Sequence, residues 1–75
     1  MPKLPVLTPK ELIRALEQAG FVRWRQKGSH LTLYRERDRK VLTIPIHFGR
    51  TIPKGTLHAI LKQAGLSVEE LDRLR

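Results

Sequence analysis

Two alternating runs, Val22 to Lys27 and His30 to Arg35, stand on either side of Gly28-Ser29, and stretches of helical spacing bracket them. Period-two alternation sends successive side chains to opposite faces of a strand, whereas apolar residues three and four apart share one face of a helix. Leu12, Ile13, Leu16 and Ala19 keep the helical spacing. Thr8-Pro9-Lys10-Glu11 ahead of them is a capping box with proline at the first helical position, so a first helix begins there and stops at Gly20. Leu57, Ile60, Leu61 and Ala64 make the stripe of a second helix, which Gly65 ends. Ser67-Val68-Glu69-Glu70 is another capping box and opens a short terminal helix carrying Leu71 and Leu74.

Gly28-Ser29 reads as a two-residue hairpin loop with glycine at the position of positive φ, so Lys27 and His30 face one another. Counting back from that turn puts Gln26 opposite Leu31, Arg25 opposite Thr32, Trp24 opposite Leu33 and Arg23 opposite Tyr34. One face then holds Val22, Trp24, Leu31 and Leu33 and suits a core. The other holds Arg23, Arg25, Lys27, His30, Thr32 and Tyr34. Glu36 to Arg39 forms a charged loop that sets Leu33 opposite Leu42 and Leu31 opposite Ile44 in a third strand, with Pro45 marking an edge. His47 to Pro53 reads as loop. Both helices are expected on one face of the sheet, where all apolar sides are hidden together. The expected class is therefore α+β: an α-β-β-β-α, dsRBD-like layout, a three-stranded antiparallel sheet with two helices on one face and a short C-terminal helix. That layout hosts more than one function.

A chain of 75 residues is expected to form a single domain over 1–75. Its 15 basic and 7 acidic residues give a formal charge of +8. Between Phe21 and Lys54 there are nine basic residues and only two acidic ones, Glu36 and Asp38. A clustered excess of this kind is the footprint of a polyanionic partner, nucleic acid before an anionic membrane surface. No apolar run approaches a transmembrane length, and Met1 to Leu7, split by Pro2 and Pro5, does not read as a signal peptide, so a cytoplasmic protein without membrane attachment is expected. With no cysteine there is no disulfide, thiol nucleophile or thiolate metal site.

Chemistry must then come from histidine, tyrosine, serine or carboxylates. His30 follows a tight turn, shares a face with cations and lies four residues before Tyr34, which marks it as an acid/base candidate. Attack of an RNA 2′-hydroxyl on its neighbouring phosphodiester needs a base on that hydroxyl, an acid on the departing 5′ oxygen and positive charge on the phosphoryl oxygens. His30 suits either proton-transfer role. Arg23, Arg25 and Lys27 suit the phosphoryl oxygens, Ser29 holds the turn or a phosphate oxygen, and Tyr34 suits a contact to an unpaired base. His47, leaving the third strand, is placed near the substrate edge, and Lys54 at the start of the second helix adds charge to a helix N-terminus. His58 is assigned no site role. Arg35, Arg37, Arg39 and Lys40 read as a solvated run, and Trp24 as core. The three histidines have no metal-ligand spacing, so neither metal nor cofactor is expected.

Three segments, Gln26-Lys27-Gly28-Ser29-His30, Ile44-Pro45-Ile46-His47 and Ile52-Pro53-Lys54-Gly55-Thr56-Leu57, followed by Ile60-Leu61-Lys62-Gln63-Ala64-Gly65-Leu66-Ser67, closely resemble the HicA family of small mRNA-interferase toxins. The resemblance runs from Thr8 to about Glu70. It implies a dsRBD-like fold and a metal-independent endoribonuclease that cleaves mRNA and blocks translation, with His30 as the catalytic residue. It also implies a cognate HicB-type antitoxin that masks the site. The alternative is a non-catalytic RNA-binding module of the same fold.

Overall fold

The computed structural model describes residues 3–47 and 49–75; Met1 and Pro2 of the leading segment and Phe48 of the 47–53 loop lie outside the described residues. The elements follow the order α1 (Pro9–Gln18), β1 (Val22–Lys27), β2 (His30–Arg35), a single 3-10 turn (Glu36–Asp38), β3 (Lys40–Pro45), α2 (Lys54–Ala64) and α3 (Val68–Leu74). It is an α+β structure with one antiparallel sheet in the order β1-β2-β3. Both capping boxes form: the Thr8 hydroxyl accepts from the Glu11 N–H while the Glu11 carboxylate accepts from the Thr8 N–H, and Ser67 and Glu70 repeat the exchange. These caps satisfy backbone donors that no helix can satisfy internally.

The inward residues of β2 and β3, Leu31, Leu33, Leu42 and Ile44, are buried with Leu12 and Leu16 of α1, Leu57, Ile60 and Leu61 of α2 and Leu71 of α3 in one cluster. Leu7 is fully buried too, and its carbonyl accepts from the Ile52 N–H at 2.7 Å, which ties the leading segment to the loop before α2. The β2–β3 register is the expected one, Leu33 against Leu42 and Leu31 against Ile44. Among the described residues no helix is long and apolar enough to cross a membrane.

β1 corrects the expected pairing. From the turn, Lys27 meets His30, Gln26 meets Leu31 and Arg25 meets Thr32, but then a bulge between Arg23 and Arg25 shifts the count, so Arg23 pairs with Leu33 and Val22 with Tyr34. The extra residue is Trp24. Val22 and Trp24, expected inside, are 58% and 59% exposed on the outer face. Arg23, expected on the outer face, lies instead on the helix side, 3.6 Å from the Glu17 carboxylate of α1. The cause is Phe21. It is buried, and a chain that alternates without interruption back from Lys27 would turn Phe21 outward; one inserted residue restores it to the core.

Arg35 is the second correction. It is not solvated: it is 6% exposed, stacked over the Phe21 ring at 4.4 Å. Its guanidinium donates to Asp38 through Nε at 3.0 Å and Nη2 at 2.7 Å, to the Ala19 carbonyl at 2.8 Å and to the Ala64 carbonyl at 3.4 Å. One cation thus meets the C-terminal ends of α1 and α2, where carbonyl groups carry the negative end of the helix dipole. The Arg35 hydrogen bond is also the main reason that the Asp38 carboxyl is held below its ordinary range.

Candidate functional site

The turn that presents His30 is built from backbone geometry. Gly28 has φ 59°, a conformation that costs glycine nothing and side-chain-bearing residues more. The Gln26 amide donates to the Gly28 carbonyl at 3.1 Å, and the Ile46 N–H donates to the Ser29 carbonyl at 2.6 Å. The turn is therefore braced from its own strand and from the segment leaving β3. His30, the first residue of β2, is exposed and sits directly across from Lys27. Cross-strand partners of this kind carry their Cβ atoms about 4.5–5.5 Å apart, so the imidazole and the lysine side chain leave the sheet side by side.

From that corner the outer sheet face continues in rows. Arg25 pairs with Thr32 and Thr32 with Thr43; His30 also pairs with Pro45, and Tyr34 lies between Val22 and Val41. The Trp24 and Tyr34 rings meet at 6.0 Å between centroids, tilted by 55°, and the Arg25 guanidinium lies 5.2 Å from the Trp24 ring centroid. None of the outward positions of the three strands carries a carboxylate. The face joins one imidazole and two cations at its turn end to an aromatic shelf at the other.

His30, Lys27, Arg25 and Tyr34 thus share one surface, with Ser29 at its rim. His47 is exposed one residue after Ile46, whose N–H is bound to the turn, so it leaves the sheet beside Ser29. Lys54 is not part of the surface, and Arg23 reaches it only at its edge, lining the hollow beside Val22, Trp24 and Tyr34. Arg23 faces α1, and Lys54 is an exposed residue opening α2 in the helical layer on the opposite side of the sheet. His58 is exposed on the same helix. Trp24 is the member that strand alternation missed. The signal was its distance from Phe21: residues three apart in a strand point to opposite faces, so a buried Phe21 turns Trp24 outward, and a bulge next to Arg25 reconciles that count with the one from the turn. Among the described residues no group of three or more histidine, cysteine, aspartate or glutamate side chains is arranged to hold a metal ion.

A family model described as HicA toxin of bacterial toxin-antitoxin matches residues 9–66, from the first residue of α1 to just past the end of α2. No curated protein matches the chain.

Proposed function

The chain belongs to the HicA family of toxins from bacterial toxin-antitoxin systems, and from that premise we propose that it is a metal-independent endoribonuclease that cleaves mRNA and so blocks translation. The observation that supports this most directly is the exposed His30 opposite Lys27 on a sheet face whose outward positions hold no carboxylate. In this reading the 2′-oxygen attacks the adjacent phosphorus, the P–O5′ bond breaks, and the hydroxyl proton leaves as the 5′ oxygen gains one. His30 is the catalytic residue and carries one of those two proton transfers. Lys27 and Arg25 neutralise the phosphoryl oxygens as charge builds on them. Ser29 holds the turn at the rim, Tyr34 contacts a base and His47 borders the bound strand. Arg23, at the edge of the face, and Lys54, off it, contribute to the positive field that gathers RNA. The protein acts in the cytoplasm, where a HicB-type antitoxin covers this face until the toxin is released.

Purified protein incubated with unstructured RNA in excess EDTA tests the proposal. Cleavage is expected with the parent chain, and His30→Ala should slow it by roughly 100-fold or more, the scale of lost general acid–base catalysis. RNA affinity should stay within a few-fold, because His30 is exposed and the cations remain. An alanine variant that cuts as fast as its parent removes His30 from the chemistry. Salt-sensitive binding without any product reduces the protein to an RNA-binding module.

A further inference from the structure

The aromatic shelf at the far end of the sheet face has no part in proton transfer, and Trp24, Val22 and Val41 lie outside the hydrophobic core. Trp24 is 59% exposed, Val22 58% and Val41 47%, so apolar surface is left in water beside Tyr34. Large apolar side chains left exposed together mark a surface that meets something. The charges around them restrict what that is. Arg25 lies against the Trp24 ring, Lys27 follows at the next outward position, and the outward strand positions carry no carboxylate, so the partner is an anion with flat apolar parts. A nucleic-acid strand has both features, phosphates for the cations and bases for the rings.

We propose that Trp24, backed by Tyr34 and Arg25, is a stacking platform for one unpaired base of the RNA strand whose scissile phosphate lies at His30. His30, Thr32 and Tyr34 line one face of β2, so the platform stands about four residues, or about 13 Å, from the imidazole. That separation places the stacked base a short stretch of strand away from the cleaved bond. A base within a duplex keeps both its faces against neighbouring bases and offers none to the indole. The platform therefore selects single-stranded RNA and sets where along it the cut falls. Trp24 is a specificity-determining residue, and the inference rests on the ribonuclease reading above.

Trp24 is the chain's single tryptophan, so its fluorescence reports the platform alone. The full-length protein is titrated with a 2′-O-methyl oligonucleotide, which has no free 2′-hydroxyl and is not cut. Binding should quench the indole emission, and the same sequence annealed to its complement should not quench it. An abasic series should contain one position at which both quenching and affinity fall. Trp24→Ala should weaken binding roughly 10- to 100-fold, the range of one lost base–aromatic stack, and Trp24→Phe should restore most of it. Because Trp24 is exposed, both variants should keep the parent's circular dichroism and thermal midpoint. Unchanged emission on saturation, duplex binding as tight as single-strand binding, or Trp24→Ala affinity equal to the parent's each overturns the platform. So does an emission shift with poly-glutamate and none with the oligonucleotide, which assigns the shelf to an acidic protein. Cleavage by the parent in EDTA is scored separately. A parent that cuts RNA while Trp24→Ala cuts it at the same rate and the same positions sinks the platform and leaves the nuclease standing. Quenching without cleavage does the reverse.

Discussion

The guanidinium of Arg35 shows how much one side chain holds when its donors are all used. It closes the carbonyl ends of α1 and α2, grips Asp38 with two hydrogen bonds and covers Phe21, and among the described residues no buried side-chain polar atom is left without a partner. Arg35→Met fills similar space yet leaves two helix-terminal carbonyls and the Asp38 carboxylate without their donor. The expected loss is about 2–4 kcal/mol of unfolding free energy in urea titrations, because several charge-assisted bonds vanish together. Arg37→Ala, two residues along and exposed, should change the same measurement by no more than about 0.5 kcal/mol. Equal urea midpoints for Arg35→Met and the parent would show that the cluster contributes nothing net.

Helix starts carry the pH dependence of the fold. Glu11 and Glu70 each accept from the backbone N–H of their capping residue, chiefly for that reason their carboxyl groups titrate below the ordinary range, and Asp38 joins them through Arg35. A carboxyl whose pKa is lower in the folded chain stabilises it fully above the unfolded value, and that contribution disappears as pH falls through the folded value. The thermal midpoint should therefore be level from about pH 7 to 5 with respect to these groups and fall below about pH 4, the unfolded carboxylate range. In Glu11→Gln/Glu70→Gln that acid-side fall should shrink, since two of the three titrating groups are gone. At neutral pH, Thr8→Ala should lower stability by about 1 kcal/mol, the usual consequence of losing an N-cap hydroxyl. A midpoint that declines equally in parent and double variant would place the acid sensitivity elsewhere.

At the scale of the whole molecule, charge and layering work together. Both α1 and α2 cover the same side of the sheet, so the opposite side stays open and carries Arg25, Lys27 and His30 within a chain of net charge +8. RNA binding to such a surface releases counterions, and for single strands the logarithm of affinity falls with the logarithm of salt by about 0.7 per phosphate neutralised. Lys27→Ala should flatten that slope by about 0.7 between 50 and 200 mM salt in anisotropy titrations, one contact's worth. Arg73→Ala, on α3 away from the face, should leave it as it was. A Lys27→Ala slope equal to the parent's would mean that Lys27 meets no phosphate.

Local chemistry alone was enough for most of the scaffold. The two capping boxes, the glycine stops, the Gly28 turn and the β2–β3 register all follow from residues close in sequence, because caps, positive φ and alternation are properties of short segments. His30 opposite Lys27 was legible for the same reason, lying within two residues of the turn that fixes it. Farther from the turn, the reading failed at Trp24, Val22 and Arg23, and it failed again at Arg35. Those positions depend on partners from other elements: Phe21 reaching the core forces the bulge that turns the indole outward, and two helix ends arriving from residues 19 and 64 make a buried place for a charge. Neither the core's demand for Phe21 nor the convergence of two carbonyls exists until the layers close. Sequence determined which elements form and where the turn sets its histidine; only tertiary structure decided which aromatic and which arginine each side of the sheet would keep, since burial is settled by what the whole fold brings together.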